Sequence, residues 1–175
     1  MAVMAPDIRL VEHAQRGDAT ARDRLLEEAY RGVFRYHLRL ARGAMDEAQE
    51  LAHETMLRVV RSLETLREPT RFVPWVLAIA ANVWRDARRR TPDAALPEEL
   101  PAPEPQDDAD EAQAVMHRLD ALPEPYRAAL TLRYLHGLDY DAMEVALGAP
   151  AGTLRSHVAR GLKVIRESME KRSRL

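Results

Sequence analysis

The sequence predicts an all-α protein: two small helical domains joined by an acidic, proline-rich linker, with a helix-turn-helix in the second. Three observations carry this prediction. Of the 175 residues, 46% are apolar but only 5% aromatic, with Ala, Leu, Arg and Glu prominent, a composition that favours helices over sheets. Apolar residues recur at three- and four-residue intervals on both sides of the middle of the chain. Between them lies TPDAALPEELPAPEPQDDADEA (91–112), with five prolines, eight acids, no base and no apolar rhythm. Proline removes backbone donors and favours extended backbone, and uniform negative charge resists collapse, so this stretch reads as a linker between domains at 1–90 and 113–175.

Taking the elements in order, a first helix spans about 7–16 and a second 18–42, with Gly17-Asp18 as break and cap. A third runs from Asp46 to Thr65, with Leu51, Ala52, Thr55, Met56, Val59 and Leu63 on one stripe. LETLREPT (63–70) is a polar connection to a fourth helix, from Thr70 to Arg90. Pro74 falls in its first turn, where a missing N–H costs little, and Phe72, Trp75, Val76, Ile79 and Val83 form its buried stripe. Trp75 is therefore assigned to the core; Trp84 stays open between packing and stacking on nucleic acid. After the linker, helices are expected over 111–121, 124–136 (closed by Gly137) and 139–147, with Asp139 as cap. Gly148 and Pro150 form a turn, and Thr153 to about Arg172 is the last helix, with Leu154, Val158, Leu162, Ile165 and Met169 inward.

The formal net charge of −2 conceals segregation: residues 1–90 and 113–175 each carry a net +3, and the linker −8. From Thr153 onward there are seven bases and two acids. A near-neutral total thus says nothing against nucleic-acid binding. With no cysteine, disulfides, zinc–thiolate sites and Cys nucleophiles are excluded. The start, MAVMAPDIRLVEHAQ, lacks the basic, apolar and cleavage segments of a signal peptide, and no run approaches the ~18 apolar residues that cross a bilayer. A soluble, cytoplasmic protein is expected. His53-Glu54 begins a His-Glu-x-x-His zinc motif, but position 57 is Leu57; the six histidines show no ligand spacing and there is no glycine-rich phosphate loop. No metal, no cofactor and no catalytic residue are expected, and the chain is read as a non-enzyme.

Two helices joined by a short turn containing Gly make a helix-turn-helix. Its second helix turns Leu154 and Val158 inward and presents Thr153, Ser156, His157 and Arg160, flanked by Arg155, Lys163 and Arg166. Hydroxyls, imidazole and guanidinium suit base edges, cations suit phosphates, and the positive end of the helix dipole at Thr153 favours an approaching phosphate. DNA is the expected ligand.

The stretch 119–162 resembles the promoter-reading domain of bacterial extracytoplasmic-function (ECF) sigma factors. The marks are Leu-Pro-Glu-x-Tyr-Arg (122–127), Leu-Arg-Tyr (132–134), Gly-Leu-x-Tyr (137–140), Leu147-Gly148 and Gly-Thr-Leu-Arg-Ser (152–156). DEAQELAHETMLRVVRSL (46–63) is similar to the family's polymerase-docking helix. FVPWVLAIAANVWRDARRR (72–90) is similar to its promoter-melting helix, through Phe72, Trp75, Ile79, Ala80, Asn82, Asp86 and the arginines. The matches, in the family's order, cover about four-fifths of the chain. The resemblance implies a subunit of RNA polymerase that selects promoters and opens them. It assigns Glu50, His53 and Glu54 to core polymerase and, with loop 63–70, Asn82, Arg85, Arg88, Arg89 and Arg90 to the −10 element. Thr153, Arg155, Ser156, His157, Arg160 and Lys163 fall to the −35 element. It also implies an anti-sigma factor as partner.

Three positions depart from the family pattern. His157 stands where Arg is frequent, His53 where Gln is common, and Glu144 where a small Ala is usual. A carboxylate at 144 must face solvent or find a donor, because burying it unpaired is costly. Two other readings stay open: a sigma-like decoy that occupies an anti-sigma factor, and a helix-turn-helix regulator acting without polymerase.

Overall fold

The computed structural model describes Met4, residues 6–90 and residues 111–172. Among these the chain is helical and has no strand. The helices are α1 (Ile8–Gln15), α2 (Ala19–Leu40), α3 (Met45–Ser62), α4 (Phe72–Arg90), α5 (Glu111–Asp120), α6 (Glu124–Leu130), α7 (Tyr140–Leu147) and α8 (Ala151–Arg172). The linker expected over 91–112 lies, except for its last two residues, outside the described residues.

Short polar side chains set the helix starts. Asp7, Asp18 and Asp139 sit in extended backbone and accept from the N–H groups of Arg9, Ala21 and Ala142 at 2.9, 3.0 and 2.8 Å. Each such cap is worth about 1 kcal/mol. Gly148 ends α7 at φ 66°, left-handed backbone that a side chain would strain, and its N–H returns to the Glu144 carbonyl at 2.8 Å.

In the amino-terminal half, α2 packs on α3, α4 lies against both, and α1 braces α2. Leu25, Ala29, Val33, Tyr36 and Leu40 of α2 meet Leu51, Ala52 and Val59 of α3 and Val76, Leu77, Ala80 and Val83 of α4 in one core. Burying each large aliphatic side chain stabilises the fold by roughly 1.5–3 kcal/mol. One polar pair lies inside. The Thr55 hydroxyl donates to the Leu51 carbonyl at 2.7 Å and stands 2.9 Å from His37 Nε2. Since the hydroxyl has one proton and it is already used, His37 donates from Nε2.

Element boundaries shift modestly from the sequence expectation. α3 stops at Ser62, and Leu63–Thr65 form a single tighter turn. The α6 backbone continues through a π-helical turn at Thr131–Leu135 before Gly137 ends it at φ 68°. The buried face of α4 is wider than one stripe: Leu77, Ala81 and Trp84 are buried, while Trp75 and Ile79 are half-buried. The cause is α7, which covers a second face of α4. Trp84 is thereby a packing residue, only 2% exposed, with the Arg88 guanidinium 4.0 Å above its ring.

The inward stripe of α8 is Leu154, Val158, Gly161 and the half-buried Ile165. Leu162 and Met169, expected inside, are exposed. A Cβ at Gly161 would lie 2.8 Å from Leu130 Cδ1, so α8 packs closely on the side chains of α6 there. With the inward row centred on Leu154, Val158, Gly161 and Ile165, Leu162 and Met169 fall at its edge and face solvent.

The two halves touch. α7 packs along α4, and the Tyr36 and His136 rings meet edge-on at 6.2 Å. Arg39 pairs with Asp120 at 2.9 Å, and the buried Arg127 donates to the Leu40 carbonyl at 3.0 Å. Between the halves remains a cavity of about 200 Å³ bordered by Tyr36, Trp84, Glu124, Leu147 and His157.

Candidate polymerase and nucleic-acid interface

The outer face of α3 is the first candidate surface. Ala48, Leu51, Ala52, Thr55 and Val59 face inward, which leaves Gln49, Glu50 and His53 exposed. Met45, Leu57 and Val60 are exposed beside them, at 59, 57 and 44%. Met45, Gln49, His53 and Leu57 follow one another at four-residue steps and so share one face. His53 leans on the Tyr30 ring, with centroids 5.5 Å apart. The helical wheel alone places Leu57 outside; its apolar neighbours Met45 and Val60 were not singled out from the sequence.

Glu54 lies apart from this face. Its carboxylate accepts from Arg58 at 2.6 Å and from Arg90 at 3.2 Å. Arg58 also donates to Asp86 at 2.9 Å, and Arg89 to Asp86 at 3.2 Å. These bonds, led by that from Arg58, hold the Asp86 carboxyl below the usual carboxylate range. Arg88 donates to Glu47. The basic end of α4 is thus laced to α3 by Glu47 and Glu54, so polymerase- and DNA-assigned residues bond to each other. Arg58, absent from the sequence assignment, joins them; its spacing of four from Glu54 is the signal that marks it.

Asn82 and Arg85 occupy the exposed side of α4. Arg85 donates to the Asn82 side-chain oxygen at 2.6 Å and to the Ala81 carbonyl at 3.3 Å. Asn82 is exposed and has its side-chain oxygen engaged, which leaves its amide N–H groups as the donors it can offer. The neighbouring connection 63–71 is pinned by Gln15 of α1, which donates to the carbonyls of Leu63 and Leu66 at 3.1 and 2.7 Å. Glu64, Thr65, Arg67, Glu68, Thr70 and Arg71 are left exposed around that anchor.

The outward face of α8 carries Thr153, Arg155, Ser156, Arg160 and Lys163, all exposed. Ser156 donates to the Gly152 carbonyl at 3.1 Å, and Lys163 stands 3.7 Å from Glu167. Arg155 lies over the Tyr140 ring at 4.9 Å, and Arg133, which the sequence assignment omitted, lies over the same ring at 5.3 Å. His157 is placed differently from the other five. It is half-buried, its ring 5.6 Å from Tyr126, on the wall of the cavity between the halves. Its angular position, about 40° from Gly161 and about 60° from Leu154, puts it on the flank of α8 rather than on the outward stripe. Among the described residues no group of three or more His, Asp or Glu side chains could hold a metal ion, and no helix is long and apolar enough to cross a membrane.

Against known proteins, residues 25–92 match the family described as Sigma-70 region 2 and residues 112–165 that described as Sigma-70, region 4. The RNA polymerase sigma-H factor of Pseudomonas aeruginosa is 31% identical over 97% of both chains. This chain belongs to the ECF sigma factors of the sigma-70 family. Other relatives agree: the ECF sigma-E factor of Escherichia coli is 28% identical over 94% of this chain and 95% of its own. The ECF sigma factor SigE of Mycolicibacterium smegmatis is 33% identical over 86% of this chain and 62% of its own. Among solved structures, CnrH in complex with the cytosolic domain of CnrY shares the fold, with a TM-score of 0.69 at 15% identity over 94% of this chain and 97% of that one. So does the sigma factor RpoE of Bartonella quintana in complex with the anti-sigma factor NepR, at 0.68 and 19% over 85% and 96%. As an ECF sigma factor the chain directs RNA polymerase to promoters, with α3 and α4 inside its region 2 and α7 and most of α8 inside its region 4.

Proposed function

We propose that this sigma factor divides its work between its halves: residues 1–90 dock on core polymerase and open the −10 element, residues 91–112 tether, and residues 113–175 read the −35 element. The observation that carries this reading is the presence, in one chain, of two outward faces of different chemistry. One is the mixed apolar and acidic face of α3, and the other the basic, hydroxylated face of α8.

Glu50 and His53, with Leu57 beside them, contact the polymerase. Glu54 contributes indirectly, by fixing Arg58 and Arg90. At the −10 element a non-template base leaves the stack at a cost of a few kcal/mol and is received between loop 63–71 and the exposed amide of Asn82. Arg85, Arg88, Arg89 and Arg90 hold the neighbouring phosphates, the last three exchanging carboxylate partners for them, with an affinity that falls as salt rises. Thr153, Ser156 and Arg160 read −35 base edges, Arg155 and Lys163 take phosphates, and His157 joins them once the halves part. The chain catalyses no reaction itself; it acts in the cytoplasm, and an anti-sigma factor masks its two faces until a signal arrives. The complexes formed by its structural neighbours support that last assignment.

Run-off transcription on a pool of genomic promoters, with core polymerase added, tests the reading. Promoter-specific transcripts that depend on this chain are expected. Binding to core without transcripts favours a decoy for an anti-sigma factor, and DNA binding without any association with core favours a stand-alone regulator.

A further inference from the structure

Glu144 is the position at which this chain replaces the small residue usual in a helix-turn-helix by a carboxylate. The structure shows where that charge goes. Glu144 is exposed, in the last turn of α7, and its Oε1 accepts from the backbone N–H of Ala151, the first residue of α8. Leu154 is the first residue of α8 whose N–H finds a helical carbonyl, that of Pro150 at 3.0 Å, so the Ala151 donor precedes the helical ladder and is satisfied by Glu144 instead. The carboxylate is therefore not a freely waving surface charge. It is fixed at the leading end of the helix whose exposed side chains are Thr153, Arg155, Ser156, Arg160 and Lys163.

Two consequences follow from that geometry. A negative charge at a helix amino terminus is favourable, so the contact steadies α8 against α7. The same charge stands at the rim of a cationic face that must approach a polyanion. Like charges a few ångströms apart near a protein surface repel by an amount that shows directly in affinity.

We infer that Glu144 is an electrostatic brake on DNA binding: it fixes the reading helix and at the same time lowers the affinity of that helix for duplex of any sequence. The inference rests on the reading of α8 as a DNA-contacting helix.

The test uses the full chain and a mixed-sequence DNA duplex a few turns long, titrated by fluorescence anisotropy over a series of salt concentrations. Glu144→Gln keeps an oxygen that accepts from Ala151 and removes only the charge; Glu144→Ala removes both; Asp23→Asn, on α2, changes the net charge equally but away from α8. At low salt, Glu144→Gln binds about three- to tenfold more tightly than the native chain, and the gain shrinks as salt rises. Its unfolding temperature falls only slightly, since the hydrogen bond to Ala151 stays and only the charge at the helix terminus is lost, whereas Glu144→Ala gains affinity and loses more stability. Asp23→Asn stays within twofold of the native chain. Equal affinity of Glu144→Gln and the native chain, or an equal gain with Asp23→Asn, overturns the inference. Weaker binding by Glu144→Gln also overturns it, since the carboxylate would then be a contact, as in acceptance from a cytosine amine. An Arg160→Ala arm separates the two levels: if it binds as the native chain does, the reading of α8 fails, and not the brake alone.

Discussion

Arg127 and Leu40, 87 residues apart in sequence, are joined by a hydrogen bond of 3.0 Å from the guanidinium Nη2 to the backbone carbonyl. The same guanidinium donates through Nη1 to the carbonyls of Asp120 and Leu122 at 3.1 and 2.6 Å. Arg127 is 1% exposed, and burial, helped by the Arg42 charge, lowers its pKa to about 10, so it remains charged at neutral pH. One cation therefore ties the end of α2 to the α5–α6 turn, with the Arg39–Asp120 pair beside it.

This tie is incompatible with simultaneous reading of two promoter elements. Their names place them roughly 25 base pairs apart, about 85 Å at 3.4 Å per pair, whereas α7 lies directly on α4. Under the proposed division of work between the halves, the chain opens on polymerase. Because it has no cysteine, Thr20→Cys and Ser168→Cys introduce unique dye sites at exposed positions on α2 and α8. Energy transfer between them is high in the free chain and falls when core polymerase is added; transfer unchanged by core refutes the opening.

Replacing Arg127 tests the tie itself. Arg127→Ala leaves three carbonyls without their donor and costs about 3 kcal/mol, which for a chain of this size lowers the unfolding temperature by about 6–12 °C. Arg127→Lys restores little of that, because one ammonium lacks the planar fork that spans carbonyls from two halves. Thermal unfolding of both variants decides the matter, and full rescue by Lys would show that charge alone suffices.

The parts of this fold legible in the sequence are those settled within a turn or two of chain. The caps at Asp18 and Asp139, the left-handed Gly148 and the outward row of α8 each depend on local backbone and helical period. Trp84, Gly161 and His157 were not legible in the same way. Their surroundings are set by α7, Leu130 and Tyr126, elements brought up by tertiary packing that no periodicity in their own helices announces. The Glu54–Arg90 bond spans 36 residues, so the sequence assigned its two ends to separate tasks although they form one network.

That network changes how the α3 face is best dissected. Glu54→Ala disturbs Arg58 and Arg90 as well as α3, so it impairs polymerase binding and −10 opening together. Leu57→Glu puts a charge on an exposed position that makes no core contact, and leaves the unfolding temperature within about 2 °C of native. It should weaken core binding at least tenfold, the loss of one central apolar anchor. Co-migration with core polymerase on a sizing column reads this, with anisotropy on mixed-sequence duplex as the control for region 4. Normal core binding by Leu57→Glu would remove α3 from the interface.

Tyr140 carries two guanidinium groups on one ring, Arg133 at 5.3 Å and Arg155 at 4.9 Å. The ring faces draw both cations towards the start of the reading helix. Tyr140→Phe keeps the ring and therefore the DNA affinity, whereas Tyr140→Ala frees both arginines and weakens duplex binding about threefold, with a shallower dependence on salt. If Phe and Ala weaken binding equally, the hydroxyl rather than the ring positions the arginines.

The two buried histidines make the fold acid-sensitive. Burial lowers the pKa of His37 to about 3 and that of His136 to about 4, the latter with help from the Arg35 charge. Both are neutral in the folded chain at pH 5, while in the unfolded chain a histidine of pKa about 6.5 takes up a proton there. The unfolded state then binds more protons, so stability falls as pH drops from 6.5 towards 4 and is fully present above that window. At pH 5 each histidine removes about 2 kcal/mol relative to pH 7.5. Asp120 acts in the opposite direction, since burial raises its pKa and folding favours its protonation; it offsets part of the loss. Urea unfolding at pH 7.5 and pH 5 measures the difference, and His136→Phe, which keeps a ring against Tyr36 without a titrating group, roughly halves it. A chain equally stable at both pH values would mean that these imidazoles are solvated, contrary to the packing of His37 on Thr55 and His136 on Tyr36.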